Sequence, residues 1–100
     1  MIDNNTITKE DTLTDILNDL DITKEENYNL IIWNDHVNSM NYIVLALFEV
    51  CKLTAEESIQ IMYDAHTNGK AVAKTGSEKE MLKLKQGLND KSIDATVEKC

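Results

Sequence analysis

One hundred residues make one domain with a modest core. A net charge of -8 argues against nucleic acid and against an anionic membrane surface, because both are held through Lys and Arg, and it favours a cationic ligand or a basic partner. Two cysteines, Cys51 and Cys100, are too few for a disulfide framework and are expected as free thiols in a reducing compartment. No run approaches the roughly 18 apolar residues of a membrane span, and the first twenty residues lack the basic start and apolar run of a secretory signal. A cytoplasmic protein is expected.

Residues 1–26 carry eight acids against two lysines, a net of -6. Within them Leu13, Ile16, Leu17 and Leu20 recur at the spacing of a short amphipathic helix. The expectation is a largely disordered acidic extension over 1–26 and a core domain over 27–100. Residues 28–33 read as a strand that stops at Asn34. A helix is predicted over 40–51, with Met40, Ile43, Val44, Leu47, Phe48 and Cys51 on one stripe and further apolar residues on the other side. Thr54-Ala55-Glu56-Glu57 is a capping box that opens a second helix, and Gly69 sits where its C-terminal glycine belongs. Residues 70–75 are a short strand. Ser77-Glu78-Lys79-Glu80 opens a third helix, whose end Gly87 and Asn89 weaken. Ile93, Ala95 and Val97 alternate with Asp94, Thr96 and Glu98 as a half-buried strand. The order β-α-α-β-α-β predicts an α+β fold, a small sheet with helices on one face.

The strand-to-helix corner from Trp33 to Met40 is the place to expect function, since a rigid scaffold presents it. Catalysis is not indicated. Cys51 falls on an apolar helix face, where a thiol is inert, and the glycines Gly69, Gly76 and Gly87 lie at separate element ends and form no phosphate loop. Asp35, His36 and His66 are chemically able to bind a metal but share no metal-ligand spacing.

Asn34-Asp35 after an apolar strand, Met40 at a helix start, His66-Thr67-Asn68-Gly69-Lys70-Ala71 some thirty residues on, and the closing Ile93-to-Lys99 segment together resemble the ClpS family, small adaptors of the Clp AAA+ protease. The resemblance runs from about Tyr28 to Glu98. It implies a three-stranded antiparallel sheet with three helices and a protein that is no enzyme and uses no cofactor. It also implies two partners: substrate proteins whose first residue is Leu, Phe, Tyr or Trp (N-degrons), and the N-terminal domain of a ClpA- or ClpC-type unfoldase. By position, Asn34 and His66, with Asp35 and His36, would meet the substrate's α-amino group. Met40 would gate a side-chain pocket lined by Ile32, Ile43, Met62, Ala65 and Ile93, with Asn38 beside it. The exposed helix surface around Ser77–Lys85 would face the unfoldase.

His36 stands where the family usually has an acid, and Ser39 where it has a proline. An imidazole offers an ammonium one lone pair when neutral and repels it when protonated. The expectation is therefore weaker binding than the family norm, lost as pH falls through about 6.5. Two other readings follow from the same residues: an unfoldase-binding regulator that has lost degron recognition through His36, or a small metal-binding domain at Asp35, His36 and His66.

Overall fold

Tyr28–Trp33 forms β1, the central strand of a three-stranded antiparallel sheet in the order β2-β1-β3. The computed structural model describes residues 27–100. The acidic extension and the amphipathic stretch from Leu13 to Leu20 lie outside the described residues. Three helices, α1 (Met40–Cys51), α2 (Ala55–Asn68) and α3 (Glu78–Asp90), alternate with β2 (Lys70–Gly76) and β3 (Ala95–Lys99) in the order β-α-α-β-α-β. The predicted α+β architecture, three helices on a small sheet, is the one observed.

Strand alternation divides β1 between two faces. Leu30 and Ile32 join the core cluster with Ile43, Leu47, Cys51, Met62, Met81 and Leu88. Ile31 is also buried, but outside that cluster, on the opposite face of the sheet. The pairing of β1 with β2 shifts register between Leu30 and Ile31, so that Leu30 faces Lys74 and Ile31 faces Val72. The extra residue is Ala73, which the bulge turns into the core. Lys74 then donates from Nζ to the Cys51 carbonyl at the end of α1, 3.1 Å away.

Each helix begins where its side chains satisfy the otherwise unpaired N–H groups of the first turn. Ser39, Thr54 and Ser77 are N-caps, and each hydroxyl accepts from the backbone N–H three residues on. Thr54 and Glu57 complete the predicted capping box reciprocally. The end of α2 is Gly69, at φ +93°, whose N–H donates to the Ala65 carbonyl. A Cβ there would meet nothing within 4 Å. The cost of Gly69→Ala is therefore backbone strain alone, and urea denaturation should show a loss of about 1 kcal/mol.

The third helix includes Leu88, as expected, and runs through Gly87 to Asp90. A Cβ at Gly87 would stand 2.9 Å from Cγ1 of Val50, so this glycine lets α3 approach α1 closely. The last strand begins at Ala95 and not at Ile93. Ser92 takes a left-handed φ of 65°, and the Ile93 N–H donates back to the Leu88 carbonyl, which makes Ile93 part of the helix-ending turn.

Candidate functional site

One cavity of about 230 Å³ opens between the end of β1, the N-terminus of α1 and the C-terminal half of α2. Its apolar wall comes from Ile32, Met40, Ile43, Met62 and Ala65, and its polar mouth from Asn34, Asp35, Asn38, Ser39 and His66, with Trp33 at the edge. The space suits a single amino-acid side chain better than a drug-sized ligand, whose pockets run to roughly 300–1,000 Å³.

Local chemistry places each of these groups. The Asn34 N–H donates to the Gly69 carbonyl at 2.9 Å, which joins the end of β1 to the turn after α2. His66, in the last turn of α2, is thereby carried beside Asn34. Among the described residues neither the Asn34 nor the His66 side chain has a hydrogen-bond partner, so both keep their acceptors for a ligand. Trp33 is fixed by a hydrogen bond from its indole N–H to Thr96 Oγ1 at 2.8 Å, and Lys70 Nζ lies 5.2 Å from the centre of its ring.

The corner between Asn34 and Ser39 is organised by Asp35. Its Oδ1 accepts from the backbone N–H of Val37 at 2.7 Å and of Asn38 at 2.8 Å. Its Oδ2 accepts from Asn38 Nδ2 at 2.7 Å. Asn38 Nδ2 donates also to the Ser92 carbonyl, and the Tyr42 hydroxyl donates to the Lys91 carbonyl. These bonds tie the site corner to the segment before β3. Partial burial alone would raise the Asp35 pKa. The backbone and side-chain hydrogen bonds from Asn38, the Val37 N–H and the nearby charge of His36 outweigh it and hold the carboxyl below its ordinary value.

A carboxyl with a depressed folded-state pKa adds stability above its unfolded value and loses it as pH falls through the folded one. Asp35→Asn should therefore cost stability at pH 7. The gap to the wild-type chain in urea denaturation should narrow once pH drops below about 4.

Two of the residues assigned to the site by resemblance are not among those that line the cavity. His36 is exposed and does not line the cavity. Ile93, 1% exposed, is packed into the core cluster and does not reach the lining. Trp33 and Ser39 line the cavity without having been singled out as ligand contacts. Both flank residues that were, and the helix cap made Ser39's position foreseeable. Among the described residues no three His, Cys, Asp or Glu side chains form a metal-binding group, and Asp35 is already committed to the corner. Cys51 and Cys100 are free thiols, and burial pushes the Cys51 thiol up to about 11 against a weaker opposing effect of Lys74, which leaves it unreactive.

The family model for the ATP-dependent Clp protease adaptor protein ClpS matches residues 23–96. The ClpS adapter of Prochlorococcus marinus is 35% identical over 77 residues, covering 76% of this chain and 73% of that protein. The chain belongs to the ClpS family. As a ClpS protein it is an adaptor of the ATP-dependent Clp protease. The ClpS adapter of Streptomyces coelicolor is 29% identical over 68 residues, 68% of this chain and 71% of that one. For a Synechococcus ClpS adapter the match is 42% identical over 43 residues, under half of either protein. Among solved structures, Agrobacterium tumefaciens ClpS2 bound to L-phenylalaninamide aligns with a TM-score of 0.68 at 18% identity, over 75% of this chain and 98% of that one. That likeness establishes a shared fold. No described helix of this ClpS chain is long and apolar enough to cross a membrane.

Proposed function

We propose that the cavity holds the first residue of a substrate protein, and that the chain passes such substrates to a Clp-type AAA+ unfoldase for degradation. The observation that carries this reading is the convergence of Asn34, Met40, Met62 and His66, from three separate elements, on one small pocket with an apolar wall and a polar mouth. A terminal ammonium has three N–H donors and needs convergent acceptors. Asn34 Oδ1 and a neutral His66 ring nitrogen supply two of them. The substrate's first side chain enters among Ile32, Ile43, Met62 and Ala65, with Met40 at the mouth. The ligand of Agrobacterium tumefaciens ClpS2, a free amine beside an aromatic side chain, has both required features.

The energetics favour a double requirement. A hydrogen bond to a charged group contributes roughly 1.5–3 kcal/mol, and burial of a Leu or Phe side chain about as much again. The two contributions act together against the cost of association, which neither alone overcomes. An internal Leu lacks the ammonium and an N-terminal Ser lacks the hydrophobic group. Both carboxylate oxygens of Asp35 are already engaged and His36 stands outside the lining, so among the described lining residues no free carboxylate faces the ammonium. This favours affinity toward the weak end for such a site.

Fluorescence anisotropy tests the reading with labelled peptides beginning with Leu, Phe, Tyr or Trp at pH 8. An Nα-acetylated copy and an N-terminal Ser copy are the controls. Binding that acetylation abolishes is the expected result. Absence of binding by all four would leave a family member that no longer recognises degrons.

A further inference from the structure

We infer that the outer groove between α1 and α2 holds the third and fifth residues of the substrate, and that apolar side chains are preferred at both. The inference rests on the function proposed for the cavity. Among the described residues, six of the nine exposed large apolar side chains lie on these two helices. Tyr42 turns toward α3, where its hydroxyl donates to the Lys91 carbonyl. Leu45 stands on the crest of α1, opposite the buried Ile43 and Leu47. The other four, Met40 and Phe48 on α1 and Ile59 and Tyr63 on α2, fall on facing flanks.

Only Lys52, Leu53 and Thr54 connect the two helices, which pack on each other as they run in opposite directions. Counted from this connection, Phe48 is level with Ile59, Val44 with Tyr63 and Met40 with His66. The cavity supports the last pairing, because Met40 and His66 both line it. Met40, Val44 and Phe48 follow at i, i+4, i+8, and Ile59, Tyr63 and His66 at i, i+4, i+7, so each set is one stripe. The groove between the stripes starts at the cavity mouth and stays apolar to the turn. Phe48, Ile59 and Tyr63 are 49%, 51% and 59% exposed, and the partly buried Val44 forms the floor.

The occupant follows from this continuity and from the spacing. A protein held in the cavity by its first residue must lay its next residues on the surface beside the mouth. Successive levels of the α1 stripe are about 6 Å apart. Alternate residues of an extended chain are about 6.6 Å apart and point the same way. With the first side chain in the cavity at the level of Met40 and His66, the second points to solvent. The third then meets Val44 and Tyr63, and the fifth meets Phe48 and Ile59. The α-amino group at Asn34 and His66 fixes this register.

Fluorescence anisotropy at pH 8 tests this with peptides that share one labelled polar tail. They begin Leu-Ser-Ser-Ser-Ser, Leu-Ser-Leu-Ser-Leu, and Leu-Leu-Ser-Leu-Ser, which has the alternating peptide's composition in the wrong register. Each is also made Nα-acetylated. The alternating peptide should bind at least ~10-fold tighter than the other two. Phe48→Gln with Ile59→Gln should remove that gain. The same double variant should bind the serine peptide within about 2-fold of wild type, which shows the fold and cavity intact. Equal affinities that acetylation abolishes would overturn the inference and leave the cavity reading standing. A gain shared by the wrong-register peptide, or kept by the double variant, would also overturn it. Binding of the alternating peptide that survives acetylation, or no binding by any peptide, would overturn both readings. A dimer in sedimentation velocity that the double variant dissociates would assign the groove to a second copy instead.

Discussion

Replacing both Asn34 and His66 with Ala is expected to weaken binding of a Leu- or Phe-initiated peptide by more than about 100-fold and to leave the urea midpoint almost unchanged. Two charge-assisted hydrogen bonds are lost, each worth roughly 1.5–3 kcal/mol. The fold loses little, because the bond that joins this corner to the α2 turn is made by the Asn34 backbone N–H and not by its side chain. His66 is exposed and has no side-chain hydrogen bond among the described residues. Isothermal calorimetry and urea melts on the same sample separate the two effects. Retained affinity would mean that the pocket holds the ammonium by other groups. A large fall in stability would mean that the two side chains are structural.

The second large effect belongs to the core. Leu47, 0% exposed, sits midway along α1 in the cluster that joins both other helices to the sheet. Leu47→Ala removes buried methyl groups and leaves a cavity, at a cost of about 3–5 kcal/mol. A domain of this size has a total stability of only roughly 5–10 kcal/mol, so the variant should melt far below the wild-type chain and bind peptide poorly through unfolding. Phe48 is the internal control: it is the next residue in the chain but 49% exposed, so Phe48→Ala should cost about 1 kcal/mol or less. Similar losses for both variants would contradict the assigned packing.

Most of the fold was legible because local signals and burial agree. The Thr54–Glu57 capping box and the left-handed Gly69 each follow from short-range chemistry, and each lies where the sequence placed it. Of the predicted α1 stripe, Ile43, Leu47 and Cys51 are buried, with Ala46 beside them, while Phe48 is exposed. The departures come from contacts distant in sequence. Gly87 reads only as a weak point near the helix end until Val50 of α1 packs against it. Ile93 fits a strand alternation, but the turn at Ser92 folds it back onto Leu88 and into the core. The bulge that turns Ala73 inward is set by pairing with β1 and leaves no local trace.

The site was partly legible for the same reasons. Asn34, Met40, Met62 and His66 are separated by up to thirty-two positions, and only the resemblance to a known family brought them together before the fold did. What the resemblance did not convey is the use of Asp35. Its carboxylate looks available to a ligand until Val37 and Asn38 are seen to donate to both of its oxygens. The exposed apolar residues of α1, such as Leu45 at 57%, answer the expectation of a helix that is apolar nearly all round: one side of it faces solvent.

A two-dimensional 15N NMR titration of the full chain with L-phenylalaninamide, alongside its Nα-acetylated form, reports directly on the pocket. Amide shifts concentrated at Asn34, Met40, Ile43, Met62, Ala65 and His66, produced by the free amine and absent with the acetylated compound, are the predicted result. Shifts scattered over the surface, or equal shifts from both compounds, would contradict recognition of a free N-terminal residue at this site.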